Sequence, residues 1–220
     1  MIEKDDDYKI KRDEMVDGLI RRGYIESKPV EEAMREVPRH VFVPDKIKER
    51  AYIDSPQPIG EGQTISAPHM VAMMVEKLDL KKGQKVLEIG GGLGYHAAVI
   101  GKIVKEKGEV YSIEYVKSLA NKAKRRINEI DCPNVKIIVG DGSEGYEKKA
   151  PYDRISVACG APKIPSPLIE QSKLGGKILI PVGNKFFQKL VKAKKIDENK
   201  IEEKNLGGVR FVPLKGKFGF

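Results

Sequence analysis

Residues 86–100 read VLEIGGGLGYHAAVI. An apolar run breaks on Gly90, Gly91, Gly92 and Gly94 and resumes as a second apolar run too long for a turn. A strand that ends on glycines and re-emerges as a helix is the first strand-to-helix turn of a nucleotide-binding sheet. Glycine allows positive φ and lets a ligand lie against bare backbone, while the N–H groups opening the helix suit an anion. Gly92, Gly94 and Ala97 satisfy G-x-G-x-x-A, and Glu114 ends the next apolar run about 20 residues on, where a carboxylate accepts ribose hydroxyls. These features point to a nucleoside and leave its chemistry open, a nicotinamide dinucleotide included.

Outward from this turn the pattern alternates: strand QKVLEIG, helix 93–105, strand EVYSIE, helix 116–130, strand VKIIVGDG, a loop, strand DRISVAC, helix 166–173 and strand GKILIPVG. Such alternation implies right-handed crossovers, a mainly parallel sheet and helices on both faces. Two further runs, QKLVKAKKI and GGVRFVPL, joined by polar DENKIEEKN, predict a C-terminal antiparallel strand pair. The fold class is therefore α/β, doubly wound and Rossmann-like.

Before the turn lies a helical and loop section, so the chain divides into 1–80 and a core of 81–220 within one compact unit. Ile10, Met15, Leu19 and Ile20 fall at helical spacing over 8–26, with Gly23 as C-terminal cap. Ser27 and Pro29 open a second helix that stops before Pro38. Residues 38–68, dense in Pro and Gly, predict a long packed loop, a kind of segment that is usually functional. A third helix follows Pro68, with Met70, Met73, Met74 and Leu78 on its apolar face as core.

Composition narrows the class. The chain has 220 residues, 40% hydrophobic and 33% charged, which suits one globular domain. Forty-one Lys and Arg against 32 Asp and Glu give +9. Basic and acidic residues are interspersed, however, as on a solvated or heat-adapted surface, so no stable nucleic-acid partner is expected. The start lacks the apolar core of a secretory signal and no run approaches the ~20 residues of a membrane span. A cytoplasmic monomer with no membrane attachment is expected. Cys132 and Cys159 read as ordinary thiols, and no metal site is expected.

Two more carboxylates choose among nucleosides. Glu88, just before the glycines, would put negative charge where a dinucleotide brings its pyrophosphate, and suits an ammonium instead. Asp141, in the G-D-G ending the third strand, is placed to accept an adenine amino group. With Glu114 these form three acidic side chains at adjacent strand ends. They match the ribose, adenine, α-amino group and sulfonium of S-adenosyl-L-methionine.

These residues, together with PRHVFVP (38–44), AYIDSPQPIGEGQTISAPHM (51–70), VGDGSEGY, PYDRISVACGAPKIP and VRFVPL, resemble the protein-L-isoaspartate (D-aspartate) O-methyltransferase family along nearly the whole chain. The glycine motif is widespread among methyltransferases; PIGEGQTISAPHM is far more specific. The resemblance implies methylation of the carboxylate of isoaspartyl residues in aged proteins and peptides, with S-adenosyl-L-homocysteine as product. The ester then closes to a succinimide that can reopen as aspartate. By motif, Ser66 is the active-site residue. Gln63, Thr64, Ile65 and His69 surround the ligand, and Glu88, Gly90, Gly92, Glu114, Asp141 and Gly142 fall at cofactor contacts. Ile59, Ser66, Val212 and Pro213 are assigned to substrate, the loop 52–66 and VRFVPL forming the walls of a peptide groove. The family commonly carries small hydroxyl residues where Gly91 and Leu93 stand here.

The chemistry agrees. A carboxylate with pKa near ~4 is already ionised at neutral pH, so in-line methyl transfer needs no general base and rests on alignment in a dry site. Ser66 is accordingly read as positioning the acceptor carboxylate; on sequence grammar alone, capping the helix that follows serves equally. A nucleic-acid aminomethylase would show a motif such as N-P-P-Y where this chain has VACGAPKIP, and no Tyr and Lys pair stands at dehydrogenase spacing. A binding protein of the same fold that holds the cofactor without transfer remains a third reading.

Overall fold

The computed structural model describes residues 2–198 and 200–220. The sheet is built as its hydropathy dictates. Strands β3 (Lys85–Ile89), β4 (Glu109–Glu114), β5 (Val135–Val139) and β6 (Tyr152–Val157) pair in parallel with β7 (Ser172–Gly183) in the order β5-β4-β3-β6-β7. Helices α4 (Tyr95–Val104), α5 (Lys117–Glu129) and α6 (Ser166–Glu170) connect them. β8 (Gln188–Lys195) and β9 (Ile201–Val209) add antiparallel strands that complete a seven-stranded sheet. The chain leaves β3 for β4 on one side and returns to its other side with β6. The carboxyl ends of β3 and β6 therefore flank the switch point where ligands collect in open sheets.

Two elements of the sheet half differ from expectation. α6 stops at Glu170 instead of 173, because Ser172 already pairs with Tyr152 and the chain bulges through Gly175 before Lys177 rejoins Arg154. β9 takes its first five residues, IEEKN, from the polar linker and ends at Val209, so that all of VRFVPL after Val209 lies outside it. A rim strand that is mostly exposed and packs only Ile201, Leu206 and Val209 against the core shows no regular alternation, so hydropathy could not mark it. VRFVPL instead runs along the loop after β6: Gly160 N–H donates to Val212 O (2.9 Å) and Leu214 N–H to Gly160 O (2.7 Å).

In the N-terminal section α1 spans Ile2–Arg21 and closes as a Schellman turn on Gly23, with Tyr24 N–H bonded to Leu19 O and Gly23 N–H to Ile20 O. Its buried face is Tyr8, Met15, Val16 and Leu19; Ile10 and Ile20, expected inside, are exposed. α2 (Lys28–Glu36) follows, and Ser27 bonds Glu76 of the third helix instead of capping its own. Residues 38–68, expected as loop, hold two 3-10 turns (Arg39–Phe42 and Asp45–Arg50) and a hairpin of β1 (Gln57–Gly60) and β2 (Gln63–Ile65). Glu61 (φ 56°) and Gly62 (φ 68°) form the hairpin turn, both residues left-handed as a primed turn requires. α3 (Pro68–Leu78) buries Val71, Ala72, Met74, Val75 and Leu78, with Met70 and Met73 only partly covered. Apolar residues from α1, α2, the 3-10 turns and the hairpin join those of α4 and α5 in one cluster. This packing fixes the hairpin over the switch point.

Candidate active site

Hairpin, glycine turn and the VRFVPL segment line a partly open cavity at the carboxyl ends of β3, β4 and β6, the place where ligands collect in such sheets. Its floor is the glycine turn. Gly90 takes φ 85°, and a Cβ there would come within 2.5 Å of Cys159 Sγ. Gly92 takes φ 56° beneath Ile59. Gly90 needs glycine for conformation and for space, Gly92 for conformation.

Glu114, 6% exposed, lines the cavity and accepts N–H bonds from Gly92 (2.7 Å) and Val116 (2.8 Å). Burial raises its pKa despite these donors. A carboxylate has about four acceptor sites, so capacity remains for the two hydroxyls of a ribose. The bare-backbone floor and this oriented carboxylate fit a nucleoside such as that of S-adenosylmethionine.

Ser66 stands where β2 hands over to α3. Ala67, not Ser66, is the residue at the α3 N-cap, with no side-chain cap bond, so Ser66 is not held in a capping role. Its backbone is held from beneath. Arg39 is fully buried, donates to Ala51 O (2.7 Å) and Ser66 O (2.8 Å), and lies 4.8 Å from the Tyr95 ring centroid. Desolvation lowers the Arg39 pKa from its ordinary value.

A second, more open groove adjoins the cavity. Thr64, Ser66, Ala158, Val212 and Pro213 line both, forming the threshold between them. His69 faces the groove, not the cavity. Its ring Nδ1 and backbone N–H both lie 2.9 Å from Asp54 Oδ1, while Arg22 pairs with Asp54 Oδ2 at 2.8 Å. Burial would raise the Asp54 pKa, but the His69 and Arg22 bonds more than offset it and the net shift is downward.

The structure brings Ile59, Gln63, Thr64, Ile65, Ser66, Gly90, Gly92, Glu114, Gly142, Val212 and Pro213 to one cavity. Glu88 and Asp141 are not among its lining residues. Glu88 is fully buried under Gly91, where Ser112 Oγ–H donates to it and His96 Nδ1 lies 3.4 Å away. Burial pushes its pKa up to about 7, against the Ser112 bond. Asp141 accepts from Ser143 N–H (2.8 Å), Ser143 Oγ–H (2.6 Å) and Lys217 N–H (2.8 Å), which ties residues 215–218 beside the cavity.

Sequence reasoning did not single out Arg39, Asp54 or Ser112. Each carries a faint signal: an arginine opening a short run that is otherwise mostly apolar in PRHVFVP, an aspartate just before Pro56, and one small hydroxyl inside EVYSIE. Ser112 also explains Gly91. A Cβ at 91 would collide with Ser112 Oγ, so the hydroxyl is supplied from the neighbouring strand.

The model of the family Protein-L-isoaspartate(D-aspartate) O-methyltransferase matches residues 10–219. The chain belongs to this family. It is 53% identical over 214 residues to protein-L-isoaspartate O-methyltransferase 2 of Archaeoglobus fulgidus, covering 97% of each chain. It is 49% identical over 221 residues to the Methanopyrus kandleri protein-L-isoaspartate O-methyltransferase, covering 100% of this chain and 98% of the relative. Among solved structures, a Plasmodium falciparum chain described as a protein-L-isoaspartate O-methyltransferase, in complex with S-adenosyl-L-homocysteine, superposes with TM-score 0.83 at 30% identity, covering 93% of this chain and 98% of that one. The family members share the α/β methyltransferase fold seen here, the oxidoreductase reading falls, and no helix among the described residues is long and apolar enough to cross a membrane.

Proposed function

We propose that Ser66, at the threshold between cavity and groove, positions the acceptor in the reaction this family member carries out. That reaction transfers a methyl group from S-adenosylmethionine to the carboxylate of isoaspartyl residues in damaged proteins, initiating their repair. The observation that carries the assignment is the shared wall: the cavity over the glycine turn and a more open groove meet at Thr64, Ser66, Ala158, Val212 and Pro213.

S-adenosylmethionine supplies a methyl group on a cationic sulfonium. Glu114 would hold the ribose hydroxyls, and the backbone of Gly90 and Gly92 lets the ligand lie against the turn. The Ser66 hydroxyl donates to the acceptor carboxylate, oriented from below by Arg39 through the Ser66 carbonyl. Ile59, Ile65, Val71 and Leu93 give the cavity an apolar lining, which would favour an aligned displacement that needs no base. Glu88 acts on the cofactor's methionine end through the glycine turn above it, Asp141 on the adenine end beside Gly142, and His69 on the substrate side.

A labelled-methyl assay with an isoaspartyl peptide and its aspartyl twin tests the reaction: transfer to the first alone is the expected result. Replacing Ser66 by Ala should lower kcat about 10- to 100-fold, the worth of one hydrogen bond to a charged group, with affinity for S-adenosylhomocysteine retained. An undiminished kcat would remove Ser66 from the site. The interspersed surface charges support a chain that works without a nucleic-acid partner, and we read it as a cytoplasmic monomer; light scattering checks the oligomeric state and a filter-binding assay with RNA the absence of the partner.

A further inference from the structure

The groove next to Ser66 is charged in one sense only. Its lining holds Lys185 and Arg210 and no aspartate or glutamate. Among the described residues neither cation is in an ion pair; Lys185 Nζ lies over the Phe220 ring, 5.7 Å from its centroid. Both side chains are exposed. Of the nearby charges, Arg39 is engaged with carbonyls and Asp54 with His69 and Arg22, while Lys215 lines the adjoining cavity and adds to the positive side. The hairpin that carries Lys185 also presents Phe186 and Phe187, 77% and 61% exposed.

Resting on the reading of Ser66 and the groove given above, we infer that Lys185 and Arg210 are a specificity device that selects isoaspartyl sites flanked by acidic residues in an extended segment of the damaged protein. The methyl acceptor is itself an anion. An electropositive approach without a compensating carboxylate concentrates such segments at the threshold and disfavours lysine-rich ones by like-charge repulsion.

Three isoaspartyl peptides that differ only in the flanking residues, Glu, Ala or Lys, provide the test at low and high salt. In the wild type kcat/KM should be about tenfold or more higher for the Glu than for the Lys peptide, with the gap shrinking as salt screens it. In Lys185→Glu/Arg210→Glu the order should invert, and in Lys185→Gln/Arg210→Gln the gap should close, thermal midpoint and S-adenosylhomocysteine affinity reporting that each variant is folded. Equal wild-type rates on Glu and Lys peptides, or a Glu preference that survives charge reversal, overturns the inference. If the wild type methylates none of the three, the reaction assigned above falls and this inference with it. A flat preference among methylated peptides overturns only the charge selection.

Discussion

Arg39 is a charge buried for the sake of position. Its guanidinium fork ties the carbonyls of Ala51 and Ser66 across residues that would otherwise be loop. Arg39→Lys keeps the charge and loses the fork, so it should lower kcat on an isoaspartyl peptide more than it alters cofactor affinity. Arg39→Ala strands both carbonyls and should cost about 3 kcal/mol or more, read as a fall in thermal midpoint. Gly91 and Ser112 are coupled in the same way. Gly91→Ser alone should destabilise by about 1–3 kcal/mol through overpacking, and Gly91→Ser with Ser112→Ala should recover much of it, since the hydroxyl has only moved across to Glu88. Additive losses in the double-mutant cycle would show the two positions to be independent. Glu88 and His96 make opposing contributions to stability. The raised Glu88 pKa, about 7 against 4.5, gives stability that is full below 4.5 and lost as pH rises through 7. Burial lowers His96 from 6.5 to about 4, giving stability that is full above 6.5 and lost as pH falls through 4. Between 4.5 and 6.5 the slopes cancel. Glu88→Gln should therefore be relatively less stable in acid and His96→Gln relatively less stable towards pH 8; thermal midpoints parallel to the wild type across that range would exclude the effect.

Among the elements, the β1–β2 hairpin decides access, since it carries Ile59, Gln63, Thr64 and Ile65 into the cavity wall. Its tip is held to α5 by an exposed Ser118 Oγ–H to Glu61 bond of 2.8 Å. Gly62→Ala places a Cβ at φ 68°, which costs about 1 kcal/mol or more. That should weaken S-adenosylhomocysteine binding about fivefold, measured by titration calorimetry, while the thermal midpoint moves little. The hairpin also marks how far the sequence could be read. β3, β4, β5 and β6 were legible because buried strands must be apolar, and the glycine turn because its backbone admits little else. The hairpin was not: G-E-G offers no Asn-Gly or Asp-Gly signal, and its strands are too short for alternation to stand out. Within the site, the residues on the glycine turn and hairpin could be placed from motif. Arg39 and Asp54 could not, because what they do is defined by carbonyls and a ring that are distant in sequence.

At the scale of the whole molecule, the section before Lys85 is not an accessory to the sheet. Tyr8, Leu19, Met34 and Phe42 share one apolar cluster with Val99, Ile100 and Leu119, so the cavity roof and floor rest on the same core. Urea unfolding should follow a single transition, coincident in far-ultraviolet circular dichroism and in the near-ultraviolet signal of the tyrosines. Two separated transitions would make the N-terminal section an independent unit and would predict a roof that opens by itself.

β9 closes one side of the sheet with Glu202, Glu203, Lys204 and Asn205 all exposed. The clients of a repair enzyme are proteins that have aged and lost part of their shape, and loose chains add themselves to any open sheet rim. A rim studded with charges of both signs refuses that pairing. On that side of the sheet the molecule gives the frayed chains of its clients no template to extend.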